Sequence, residues 1–198
     1  GMQKLSPEVL YAKEFHIKKI LGAIHILTQY DGDCYFDPIH QADMDHSVIP
    51  RLFEGEKGNL EWNNGFNGEA FRTSYPVLHA ALYNLVKNGF RTLKGKSGIV
   101  TVAIEPYADT LPKDLVFVPE HEGGEEYAKF EVRDNGKGFP TDKPLAQNLE
   151  FGVTGNRTST GFGLYFVKLA CKFLRAPLGI TSVPGDTRIA IYHPTKLS

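Results

Sequence analysis

The sequence predicts an α+β fold: a two-layer sandwich in which a mixed β-sheet is covered by helices, preceded by an N-terminal helical segment. Three observations carry this reading. Apolar residues recur at helical intervals over 74–94 and 161–174, alternating or β-branched runs lie between and after them, and the last two runs are joined by the tight turn Pro184-Gly185-Asp186. Strands split between helical crossovers and a closing hairpin call for a mixed sheet with helices laid on it.

Taken in order, residues 6–30 begin with Ser6 and Pro7, suited to an N-cap and a first helical turn, and predict one long helix. Residues 31–72 mix turn formers with acidic and imidazole side chains and read as irregular connections around a short helix. A helix follows at 74–94, then strands at 98–105, 114–118 and 127–133, a loop at 134–160, a helix at 161–174 and a hairpin of 178–183 with 187–192. The chain therefore divides at residue 72, into a helical segment with its connections (1–72) and a sheet-containing domain (73–198). Gly1 is set aside, because the opening Gly-Met reads as the scar of a processed tag.

Composition narrows the function classes. With 198 residues, 41% of them hydrophobic, the chain can bury a substantial core. Its 22 basic and 23 acidic residues leave a net charge of −1, so no whole-molecule field draws it to nucleic acid or anionic lipid. The apolar run ILGAIHIL is too short to span a membrane and no signal peptide precedes it, which predicts a soluble, cytoplasmic protein. Cys34 and Cys171 stand alone, without the spacing of a zinc site or a disulfide framework.

Three stretches point to chemistry. In the helix over 74–94, Leu78, Leu82, Leu85, Val86 and Leu93 form the apolar stripe, while Asn84, Asn88 and Arg91 fall on roughly the opposite side. Asn is a mediocre helix former, so two of them on one face suggest amide oxygens turned to a hard cation, with Arg91 reaching a phosphate; a solvated face is the alternative. The stretch DNGKGF places Asp134 at a strand exit, with Gly136 and Gly138 permitting positive φ and close approach of a planar ligand; a simple turn is the alternative. An ionised carboxylate only accepts hydrogen bonds and so suits an exocyclic amine. The stretch STGFGLYFVK sets Gly161 and Gly163 where loop becomes helix, a place for phosphate oxygens to meet unpaired N–H groups. It is neither a Walker A loop nor a Rossmann fingerprint, since the Gly-Lys-Ser/Thr of the one and the strand-glycine-helix order of the other are missing.

Taken together and in order, NLVKNGFRT, DNGKGF and STGFGLYFVK resemble the N, G1 and G2 boxes of the histidine-kinase-like (GHKL) ATPase superfamily, most of all the catalytic ATP-binding domain of sensor histidine kinases. The closing ITSVPGDTRIAIYHP is similar to the final hairpin of that domain, and the resemblance spans roughly residues 74–194. It implies the Bergerat-type ATP-binding fold, with ATP and Mg2+ as cofactors and ATP/ADP as the exchanged ligands. Asn88 is implied as the principal magnesium ligand, Asn84 as its helper, directly or through water, and Arg91 as the phosphate contact, making Asn88 and Arg91 the catalytic pair. Asp134, Gly136, Gly138 and Phe139 are implied at the adenine end, and Thr160, Gly161, Gly163 and Leu164 at the phosphate end, under a mobile lid of residues 140–160.

Departures are also visible. Asn88 is followed by Gly89 rather than Ala, Ser159 replaces the first glycine of the G2 box, the lid is short, and a long segment, 106–126, separates the strand at 98–105 from the strand leading into DNGKGF. The implied activity is that of a signal-transduction kinase of the two-component type, transferring the γ-phosphoryl group to a histidine in cis or trans. A response regulator or other phosphoacceptor protein is the implied partner, and the helix over 6–30 a candidate dimerisation element. His16 and His25 lie on that helix without the acidic residue and Arg-x-Pro segment of an acceptor box, so both also fit as ordinary helix residues. A non-kinase, ATP-dependent binding switch of the same superfamily is the second reading. A separate metal site built from Asp31, Asp33, Asp37, His40, Asp43, Asp45 and His46 is the weaker alternative to solvated turns.

Overall fold

The computed structural model describes residues 37–39, 44, 45, 47, 49–54, 56, 58–67, 70–93, 98–113, 115–120, 126–141, 144–153 and 161–196. The expected helix over 6–30, with His16 and His25, lies outside the described residues. In chain order the elements are β1 (Asp37–Ile39), α1 (Ile49–Leu52), β2 (Asn59–Asn64), β3 (Phe71–Thr73), α2 (Tyr75–Thr92), β4 (Ile99–Tyr107), β5 (Leu115–Phe117) and β6 (Tyr127–Asp134). A 3-10 turn (Leu145–Leu149), α3 (Gly163–Phe173), β7 (Leu178–Val183) and β8 (Asp186–Pro194) complete them.

Six strands form one mixed sheet in the order β2-β4-β6-β8-β7-β5, while β1 and β3 pair separately. Only β2 with β4 is parallel; the other neighbours in the large sheet run antiparallel. The α+β class with helices over a mixed sheet is therefore the observed architecture.

Alternation sets which face is covered. Along β6, Ala128, Phe130, Val132 and Asp134 are buried, while Lys129 and Glu131 between them are half-buried and ion-paired with each other. Val100, Val102 and Ile104 of β4 and Ile189 and Ile191 of β8 continue the same buried layer. Leu78, Leu82, Leu85 and Val86 of α2 are buried, as the helical periodicity requires, and Val167, Ala170 and Cys171 of α3 join them. Each large aliphatic side chain so buried stabilises the fold by about 1.5–3 kcal/mol.

Two local features bring α2 close to the site. Gly89 is buried against β4, where an added Cβ would sit 3.1 Å from a Val100 methyl and 3.4 Å from the Asp134 Cβ, so the Asn-Gly pair lets the helix lie low on the sheet. Thr92 ends the helix two residues before the expected boundary, and the Leu93 N–H returns to the Phe90 carbonyl.

The structure differs from the expectation in several places, and residues 37–39 and 71–73, expected within irregular connections, form a two-stranded sheet. Residues 59–64, expected within irregular connections, form an edge strand of the large sheet. Only Leu60 and Trp62 of NLEWNN are apolar, and the strand exists because β4 supplies its backbone partners from Ile99 to Ile104. Residues 134–160, expected as loop, contain the 3-10 turn with Leu149 buried. The helix predicted over 161–174 begins at Gly163 rather than 161, since Gly161 holds φ of +63°, outside helical space.

Candidate functional site

A cavity of about 350 Å³ opens between the end of α2, the exit of β6 and the start of α3. This is within the usual volume of small-molecule sites. Of the residues expected from the sequence, Asn88, Arg91, Asp134, Gly138, Phe139, Gly161, Gly163 and Leu164 line it. Asn84 and Gly136 are not among the lining residues, and Thr160 lies outside the described residues.

Asp134 terminates β6 and is only 6% exposed. Its Oδ1 accepts from the Thr92 hydroxyl at 2.6 Å and from the Gly136 N–H at 2.9 Å. Burial raises the proton affinity of the carboxyl above the ordinary carboxylate value, and the Asp186 charge adds to this, against the two donors that lower it. The result is a fixed acceptor in a partly apolar wall that includes Leu85, Val132 and Ile189.

The glycines act for different reasons. Gly138 has φ of +76°, a conformation side chains avoid, and its neighbour Phe139 donates its N–H to Ser182 Oγ at 2.9 Å. Gly136 does not use positive φ; it is glycine for space, because a Cβ would overlap the Thr92 hydroxyl. Gly161 uses both, with positive φ and with the backbone of Gly152 and Val153 filling the place of a Cβ.

At the other end of the cavity the α2 asparagines are not on a solvent face. The oxygens of Asn84 and Asn88 both lie 3.6 Å from where a Gly163 Cβ would sit, so the two amides converge on the first turn of α3. The Asn84 amide N–H donates to the Ala80 carbonyl at 2.7 Å, which fixes the group and leaves its oxygen as the free end. Two neutral oxygens beside a helix N-terminus make a weak cation site by themselves, and among the described residues no group of three or more His, Cys, Asp or Glu stands together. That donor set fits a hard cation whose remaining ligands come from phosphates and water. In the stretch read as a separate metal site, Asp45 instead accepts from the Asn64 amide at 2.7 Å; most of its other candidates lie outside the described residues.

Several lining residues were not singled out from the sequence: Leu85, Gly89, Thr92, Val132, Lys137, Thr187 and Ile189, while Pro140, Asn148 and Val153 fall within the expected lid of 140–160. Leu85 and Ile189 carry only core signals, and Asn148 is placed by the 3-10 turn. Lys137 was recoverable as the cation inside DNGKGF, and it puts a second basic residue beside Arg91 at the rim. The start of α3 is latched to the segment before it by the Lys168–Glu150 ion pair at 2.8 Å and by Phe151, whose ring meets Tyr165 at 5.5 Å.

Among the described residues no helix is long and apolar enough to cross a membrane. Residues 74–197 match the family described as histidine kinase-, DNA gyrase B-, and HSP90-like ATPase. No curated protein matches the chain. Among solved structures, the mycobacterial sensor histidine kinase MprB is similar with a TM-score of 0.59 and 17% identity, covering 82% of this chain and 99% of that one. The histidine kinase AdeS of Acinetobacter baumannii gives 0.60 and 13%, covering 98% and 87%. Full-length ShkA in complex with AMPPNP gives 0.63 and 14%, covering 99% of this chain and 41% of that one. At such identities the likeness is one of fold.

Proposed function

The chain belongs to the histidine kinase-, DNA gyrase B- and HSP90-like ATPase family, and from that premise we propose that it binds Mg-ATP in this cavity and transfers the γ-phosphoryl group to a histidine, in cis or in trans. The observation that carries the reading is the polarity of the cavity: a buried, doubly held carboxylate at one end, and amide oxygens, basic side chains and a helix N-terminus at the other.

In this reading Asp134 accepts from the adenine amine, and Leu85, Val132 and Ile189 shield the base from water. Asn88, with Asn84 behind it, offers amide oxygens to the cation. Arg91, Lys137 and the N–H groups opening α3 hold phosphate oxygens. The bound magnesium ion would supply neutralisation of charge on the β- and γ-phosphates. The protein's own contribution is orientation: the γ-phosphorus is held in line with an imidazole nitrogen. The nitrogen–phosphorus bond forms as the bond from phosphorus to the β,γ-bridging oxygen breaks, and ADP leaves with that electron pair. The acceptor is His16, His25 or a histidine of a partner, and a response regulator is the next recipient. Dimerisation through residues 6–30 and a cytoplasmic location belong to the same proposal.

Intact-mass measurement after incubation with Mg-ATP, at mildly alkaline pH because phosphohistidine is acid-labile, tests it. The expected result is one added phosphoryl group on the chain, lost in His16→Gln or His25→Gln, or on an added acceptor protein. ATP binding with no transfer to either would overturn the kinase reading and leave an ATP-gated binding module.

A further inference from the structure

We propose that Thr92 is a positioning residue for base selectivity, holding the Asp134 carboxylate so that its second oxygen meets the purine 6-amine. The inference rests on the reading of Asp134 given above and extends it to Thr92, the last residue of NLVKNGFRT, to which that reading gives no role.

The Thr92 hydroxyl lies 2.6 Å from Asp134 Oδ1 and 2.9 Å from the Gly89 carbonyl. It has one proton, and the shorter contact, to an ionised acceptor, takes it. The Gly136 N–H is the second donor on that same oxygen. Two donors from different directions fix the carboxylate plane, and the Oδ2 lone pairs stay uncommitted among the described residues. With Gly136 alone, the carboxylate can turn about its last side-chain bond, whose rotation is intrinsically soft.

The surroundings are built around this contact. Gly136 has no room for a Cβ because Thr92 fills it. The Lys137 N–H donates to the Thr92 carbonyl at 3.3 Å, and the Gly185 N–H to the Gly136 carbonyl at 2.8 Å, tying the turn after β6 to the helix end and to the β7–β8 turn. The last turns of α2 also place Asn88 and Arg91 on the cavity. One rigid helix thus sets the base acceptor and the phosphate contacts together.

The test uses the full chain and two ligands, ATP and purine riboside 5′-triphosphate, in which hydrogen replaces the 6-amine, with affinities measured by calorimetry. Thr92→Val is expected to weaken ATP about tenfold and to leave the amine-less analogue within about twofold, the pattern of one lost charge-assisted hydrogen bond that acts only through the amine. Thr92→Ser restores ATP affinity. Thr92→Ala, which also removes the hydroxyl and relieves rather than adds bulk, gives the same split should the valine variant not fold. Equal loss for both ligands, or no loss for either, overturns the proposal. A wild-type chain that binds ATP no better than the analogue overturns it at its base, since Asp134 then does not read the amine.

Discussion

Asp134 concentrates the site's chemistry in one side chain. Burial favours its neutral form, while Thr92 and the Gly136 N–H favour the ionised one, and burial wins. In the free protein such a group adds stability at low pH, and that contribution is lost as pH rises through the raised value. Under the proposed reading, binding runs the other way: the donors occupy Oδ1, so an added proton sits on Oδ2 and turns an acceptor into a donor facing the adenine amine. Adenine-nucleotide affinity is therefore expected to be level at neutral pH and to fall on acidification from above the ordinary carboxylate range. Asp134→Ala abolishes binding at every pH, as calorimetric titration across the range will show. Unchanged affinity in that variant would remove Asp134 from the site.

At the scale of the element, α2 does two jobs with two faces. Its buried stripe anchors it on β4 and β6, and the two asparagines of its polar stripe, half-buried, are turned to the start of α3 while Arg91 stays exposed, which is why asparagine is tolerated where helix propensity argues against it. Asn88 contributes an oxygen without charge, so its loss matters when a cation must be held. Asn88→Ala is expected to lower ATP affinity roughly tenfold in the presence of Mg2+ and by less than about twofold in EDTA. A paired calorimetric titration reads this directly; equal losses in both conditions would make Asn88 a phosphate or packing contact. In the segment before α3, the 3-10 turn buries Leu149, and the exposed Phe151 ring meets Tyr165 of α3.

On the scale of the whole molecule, a buried histidine outside the cavity lining couples stability to acid. His193 is fully buried near the end of β8, its Nδ1–H donating to the Pro194 carbonyl at 2.8 Å and its Nε2 without a hydrogen-bond partner. Burial lowers its pKa from 6.5 to about 4. The unfolded chain therefore takes up this proton first, and stability falls as pH drops from about 6.5 towards 4. The loss amounts to about 3 kcal/mol, measurable by urea unfolding at stepped pH. In His193→Leu the slope over this interval should flatten, and an unchanged slope would assign it to other groups. What the sequence determined by itself was whatever repeats or is chemically unusual: the 3.6-residue stripes of α2 and α3, the alternation of β4, β6 and β8, the Pro-Gly-Asp turn, and the motif residues of the cavity. What only the tertiary structure decided was whatever depends on a partner distant in sequence. Asn59–Asn64 is a strand because β4 lies beside it, Gly136 is glycine because Thr92 stands 44 positions earlier in the chain, and Thr92 faces the cavity because the end of α2 meets the exit of β6. Local patterns report local conformation, whereas a hydrogen bond across two elements leaves no periodic trace in either of them.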